Sequence, residues 1–114
     1  ERSTRGPIYI ISHNGTTFDF LILKRLMKQY KISERFIRRL KYLDTLLFSK
    51  LFIKEGRFRQ QDLCKRYNIV NDSEHRAMGD ILALEKLYLS LYNEYSSIID
   101  RDITIDEIIE EIYI

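Results

Sequence analysis

Ile8-Tyr9-Ile10-Ile11-Ser12-His13-Asn14-Gly15-Thr16-Thr17-Phe18-Asp19 is the stretch whose reading decides the fold. Ile8 to Ser12 is a short, continuous, β-branched-rich apolar run, which predicts a strand buried on both faces near the centre of a mostly parallel sheet. Asn14-Gly15 closes that run with turn chemistry. Thr16 or Thr17 can then cap a helix reaching about Tyr30, with Phe18, Leu21, Ile22, Leu23, Leu26 and Met27 as a wide apolar stripe. Strand, turn and helix make a βα unit, so the fold class expected is α/β.

Downstream, the spacing of Ile32, Phe36, Ile37 and Leu40 suits a short helix within Lys31 to Leu40. Tyr42 to Leu47 is predicted to start as a strand and turn helical near Asp44-Thr45, and the run to Ile53 ends at Glu55-Gly56, where glycine can close a helix. Arg59 to Tyr67 predicts a helix packing Leu63, Cys64 and Tyr67, and Asn68 to Ser73 is polar turn chemistry. The clearest periodicity runs from Glu74 to about Tyr95, where Ala77, Ile81, Leu84, Tyr88 and Leu91 recur at helical spacing. Thr104 and Glu107 have capping-box spacing, and Ile105, Ile108, Ile109 and Ile112 give a short amphipathic helix over about 104–113 an apolar face. The expectation is one partial domain over 1–114, with its motif-bearing core over about 8–95.

At 114 residues, 45% apolar and 32% charged, the composition is that of one ordinary globular domain. No apolar run nears the length of a membrane span, so no membrane partner is expected. Glu1 to Gly6 has neither an initiating Met nor a signal-peptide pattern, so the chain is expected to be part of something longer. Cys64 is the single cysteine. It excludes an internal disulfide, reads as a packed thiol and fits a reducing, intracellular setting, cytoplasm or nucleus. The net charge of +2 conceals an asymmetry. Lys24 to Arg66 holds seven Lys and seven Arg against four acidic residues, whereas Asp100 to Ile114 holds six acidic residues against Arg101. A basic stretch interleaved with Tyr30, Phe36, Tyr42, Phe48, Phe52 and Phe58 suits a phosphate backbone with rings for stacking; solvated helix faces are the other reading.

Asp19, His75 and Asp80 are the residues whose types and spacing suggest a reaction, the metal-assisted hydrolysis of a phosphodiester. With a helix beginning near Thr17, Asp19 shares a face with Leu23, Leu26, Met27 and Tyr30, and Asp80 shares one with Leu84, Leu87, Tyr88 and Leu91. Each carboxylate is thus expected to point toward the core or a cleft, where a metal ion would compensate its charge. An acidic residue in a first helical turn is also favoured by the helix dipole, which is the alternative for Asp19. Gly79, beside Asp80, permits close approach by another group. His75 stands five residues before Asp80 and cannot share its face, so it acts from the loop or first turn. A neutral imidazole there suits a general base, the alternative being a surface histidine in a turn. Asn14 either orients a substrate phosphate or sugar or serves the turn alone. Asp44 is assigned to structure.

Read jointly, these segments resemble the second and third sequence motifs of the DEDDh family of 3′→5′ exonucleases, which includes proofreading subunits and domains of DNA polymerases. His13-Asn14-Gly15-Thr16-Thr17-Phe18-Asp19 is similar to the family's His-Asn-x-x-x-Phe-Asp pattern after a strand. His75-Arg76-Ala77-Met78-Gly79-Asp80-Ile81-Leu82-Ala83 is similar to its His-x-Ala-x-x-Asp-x-x-Ala pattern. Tyr42-Leu43-Asp44-Thr45-Leu46 and Leu63-Cys64-Lys65-Arg66-Tyr67-Asn68-Ile69 resemble what lies between, so the likeness covers roughly Ile8 to Tyr92.

The resemblance implies a partial RNase H-like fold, a mixed sheet flanked by helices. It implies hydrolysis of DNA or RNA from single-stranded 3′ ends with two Mg²⁺ or Mn²⁺ ions. Asp19 and Asp80 would be metal ligands, His75 the general base, and His13 and Asn14 neighbours of the nucleic acid. The family's first motif, Asp-x-Glu on the first strand, has no counterpart: Asp72-Ser73-Glu74 lies in the turn before His75. The expectation is therefore the C-terminal portion of such an exonuclease, completed by strands and acidic ligands from an upstream segment, a polymerase or another chain. The alternatives are a catalytically inactive nucleic-acid-binding or assembly module of the same fold, and a helical interaction domain.

Overall fold

The computed structural model describes residues 6–15, 19–70 and 76–113, for 76–80 the backbone alone. The chain forms two compact units, Glu1–Asp44 and Thr45–Ile114.

The first unit begins with β1 (Ile8–Ser12), continues through α1 (Asp19–Gln29) and the short α2 (Glu34–Ile37), and ends with β2 (Leu40–Asp44). β1 and β2 pair in parallel, Ile8 opposite Leu40 and Ser12 opposite Asp44. A parallel pair needs a long crossover, and α1 with α2 supplies it, which makes this the βα unit expected and the class α/β. Phe20 stacks at 4.9 Å on Tyr42 of β2, and Phe20, Met27 and Leu43 are buried. The buried pair on α1, Phe20 and Met27, is seven residues apart, two turns along one stripe. Leu21, Leu26 and Tyr30, which the sequence pattern assigns to the apolar stripe or its face, are 57%, 40% and 70% exposed. β1 also departs from expectation, since all five of its residues are half-buried rather than enclosed. Among the described residues it has a neighbouring strand on one side only, and a strand in a two-stranded pair cannot be covered on both faces and both edges. The expected Lys31 to Leu40 helix is confined to four residues, capped by the Ser33 hydroxyl, which accepts from the Arg35 N–H at 3.2 Å.

The second unit contains α3 (Thr45–Lys50), α4 (Gln60–Arg66), α5 (Arg76–Ile99) and α6 (Ile105–Tyr113). Strand gives way to helix at Asp44-Thr45, where the sequence places the change. Gly56, at φ +102°, adopts a left-handed turn that suits its lack of a side chain. Phe48, fully buried, is the hub of a ring cluster with Phe52, Tyr88 and Tyr95 at centroid separations of 5.6–6.1 Å. Leu63, Cys64, Ala83, Leu87, Leu91, Ile103 and Ile108 complete the core, and Cys64 is the packed thiol expected. α5 buries Ala83, Leu87 and Leu91, while Ile81 of the expected stripe is 62% exposed. So many positions of α5 are apolar that several stripes fit its sequence, and packing selects one. The capping box on α6 is formed in both directions: the Glu107 N–H donates to Thr104 Oγ1 at 3.1 Å, and the Thr104 N–H to Glu107 Oε1 at 3.0 Å. No helix among the described residues is long and apolar enough to cross a membrane.

Candidate active site

Because β1 and β2 are parallel, both deliver their carboxyl ends to the same edge of the first unit, the edge where open α/β sheets bind ligands. Ser12 ends β1, Asp44 ends β2, and the two are register partners. His13-Asn14-Gly15 leaves from that edge, and Asp19 returns to it as the first residue of α1.

Two hydrogen bonds fix this edge. The Ser12 hydroxyl donates to Asp19 Oδ2 at 2.7 Å, holding an exposed carboxylate in one place. The Asn14 N–H donates to Asp44 Oδ1 at 2.7 Å. Asp44 is 1% exposed, so this charge-assisted bond compensates part of the cost of burying it and pins the loop to β2. Asn14 sits at φ +61°, the left-handed conformation that asparagine tolerates better than most residues. Gly15 is required by contact: a Cβ there would lie 2.7 Å from Ser12 Cβ and 3.0 Å from the Phe20 ring. His13 is half-buried, and Asn14 exposed, beside the same turn.

Of the two directions expected for Asp19, the core or a cleft, the core is ruled out by its exposure. Phe20 takes the inward direction to reach Tyr42, and the neighbouring helical position is turned about 100° away, which brings Asp19 to the surface. Its tie to Ser12 was missed in the sequence, where nothing marks a serine seven residues upstream. Asp44, assigned to structure, is the buried acceptor of the loop. Asp80 lies in α5 of the second unit, in helical register with the buried Leu87 and Leu91, and its side chain is outside the described residues. His75 is outside them altogether.

An exposed carboxylate whose side-chain partner among the described residues is one hydroxyl is a suitable hard-oxygen ligand for Mg²⁺ or Mn²⁺, and it is one ligand, not a cage. Among the described residues no three His, Cys, Asp or Glu side chains group as a metal would require.

The second unit commits its charges differently. Tyr67 donates to Glu94 Oε1 at 2.6 Å and Arg66 to Glu94 Oε2 at 2.8 Å. Burial and that hydrogen bond push the Tyr67 phenol up to about 12. On Glu94, burial acts upward but is outweighed by the bonds from Tyr67 and Arg66, which hold it below the usual carboxylate range. Arg59 donates to Asp62 at 2.8 Å, and that bond lowers the Asp62 carboxyl. These are struts between and within helices.

Against known proteins, the RNase T family model, described as Exonuclease, matches residues 7–88. The match spans β1 through the middle of α5 and so includes every residue singled out at the strand edge, with His75 and Asp80. Searches of curated proteins and of solved structures returned no match.

Proposed function

From the premise that the chain belongs to this exonuclease family, with a partial RNase H-like fold, we propose that it is the C-terminal portion of a DEDDh-type 3′→5′ exonuclease. The observation that carries the reading is the pairing of motif with geometry. The His-Asn-x-x-x-Phe-Asp segment leaves the carboxyl end of a parallel strand, and its aspartate is exposed and anchored there by Ser12. The substrate is a single-stranded 3′ end of DNA or RNA.

Asp19 and Asp80 would hold divalent metal through carboxylate oxygens, with further acidic ligands from a strand outside these 114 residues. When bound, a pair of such ions stabilises the attacking and leaving oxygens of an in-line displacement. His75 takes the proton of the attacking water as a neutral imidazole. His13 and Asn14 border the terminal nucleotide, and the Asn14–Asp44 bond keeps their loop in place when substrate arrives. Ser12 is a positioning residue, because it acts through Asp19.

The test is made on the domain completed by whatever segment precedes Glu1 or pairs with this chain. Mononucleotides are expected from a 3′ end in Mg²⁺ or Mn²⁺. His75→Ala is expected to slow release by roughly 10² to 10⁴-fold with metal binding retained. Asp80→Asn should abolish metal-dependent turnover with folding nearly intact. Inactivity of the completed wild-type protein would sink the reading in favour of a binding or assembly module.

A further inference from the structure

The basic residues between Lys24 and Arg66 are not equivalent once the fold is known. In the second unit Arg59 is paired with Asp62, Arg66 with Glu94, and Lys50 lies over the Phe58 ring at 5.5 Å, while Lys54, Arg57 and Lys65 are exposed outside any ion pair among the described residues. In the first unit, Lys24 to Lys41 holds eight Lys and Arg against Glu34 alone. Lys24 lies 4.8 Å over the Tyr42 ring, and Arg39 donates to the Gly6 carbonyl. Arg25, Lys28, Lys31 and Arg38 are exposed and enter no ion pair among the described residues.

Three of those four, Lys28, Lys31 and Arg38, lie within eleven residues of chain that turn a corner. The Ile32 N–H donates to the Met27 carbonyl at 2.9 Å and Lys31 takes φ +53°, which ends α1. The Ile37 and Arg38 N–H groups, donating to Ser33 and Glu34 at 3.0 Å, then set α2. Two rings stand on this corner, Tyr30 at 70% and Phe36 at 41% exposure. Large exposed rings among unpaired cations are what a single strand uses, the rings for bases and the cations for phosphates.

Arg38-Arg39 runs into the amino end of β2, whereas Asn14 and Asp44 stand at the carboxyl ends. The corner and the candidate site are therefore at opposite ends of the same two strands, about 15 Å apart for five residues of strand.

We propose that the α1–α2 corner is a second binding surface for single-stranded nucleic acid, gripping the phosphate backbone behind the 3′ nucleotide held at Asp19. Its choice of ligand rests on the exonuclease reading. That separation exceeds the reach of a single internucleotide linkage, so the corner serves longer strands and is out of reach of the shortest.

The test uses the full chain and a labelled oligothymidylate of about 16 nucleotides, with affinity followed from about 50 to about 200 mM salt. Lys28→Gln, Lys31→Gln and Arg38→Gln together should lower the slope of log affinity against log salt by about 2. The same triple variant should weaken binding about 100-fold at 0.1 M salt. Tyr30→Ala or Phe36→Ala should weaken binding roughly 5- to 150-fold with the slope unchanged. Lys54→Gln, Lys65→Gln and Lys86→Gln together remove equal charge from the second unit and should change little. Equal loss in both triple variants, or no loss in the first, overturns the proposal. Tighter capture of poly-glutamate than of the oligonucleotide overturns it in favour of an acidic protein partner. In the completed domain the corner variant should still hydrolyse a dinucleotide at the wild-type rate. An inactive wild-type domain whose chain still binds through the corner would sink the exonuclease reading alone.

Discussion

The two units divide their polar groups in opposite ways. In the second unit charged side chains tie helices together, Glu94 taking both Tyr67 and Arg66, over a core whose hub, Phe48, is fully buried. In the first unit the Ser12–Asp19 and Asn14–Asp44 bonds set the stance of a loop and a carboxylate at the strand ends, while β1 stays half-buried along its whole length. The difference teaches that Glu94 and the Phe48 ring cluster bind the second unit's helices to one another, whereas these two bonds of the first unit lie at its strand ends.

The largest effect that would break this contrast is a pair of core deletions. Leu87→Ala, at a fully buried position, should destabilise by about 2–5 kcal/mol in a denaturant melt. Ile10→Ala in half-buried β1 should cost clearly less, about half, because much of its side chain already meets water. Equal costs would mean that β1 is as enclosed as α5.

Next is Gly15→Ala, which forces Ser12 or the Phe20 ring aside. A loss of about 1–3 kcal/mol is expected from this overpacking. Displaced Ser12 also releases Asp19, so hydrogen exchange at 12–19 should rise. Unchanged exchange there would separate the glycine from the carboxylate's stance.

The smallest effect sharpens the other side. With the Tyr67 phenol raised from 10.0 to about 12, the folded state favours the neutral ring. Its contribution is complete below pH 10 and fades as pH rises toward 12, because the unfolded chain ionises first. Tyr67→Phe should cost about 1 kcal/mol at neutral pH and flatten that alkaline loss. An alkaline melt identical in both proteins would place the sensitivity elsewhere.

How much of this was legible depended on whether the signal was local. Asp44-Thr45 marks its own strand-to-helix change, and Thr104 with Glu107 spells its own cap. The family likeness rests on the two motif segments, which the match over residues 7–88 contains. What escaped was set by partners distant in sequence. Ser12 meets Asp19 across a turn, and Arg66 and Tyr67 meet Glu94 across 28 and 27 residues, pairings that no periodicity encodes. The outward turn of Asp19 followed from Phe20 claiming Tyr42. The half-burial of β1 follows from its place in a two-stranded sheet among the described residues, which its own composition does not encode.

The most direct measurement compares wild type with Asp19→Asn in the completed domain, following mononucleotide release from single strands labelled at either end, in Mg²⁺. Expected is release from the 3′ end alone, lost by about 10³-fold or more in the variant, as fits several kcal/mol of charge stabilisation. The melting curve should be unchanged, because Asp19 is exposed. Wild-type turnover in Asp19→Asn, or release from the 5′ end, would contradict the placing of the exonuclease site at the strand edge.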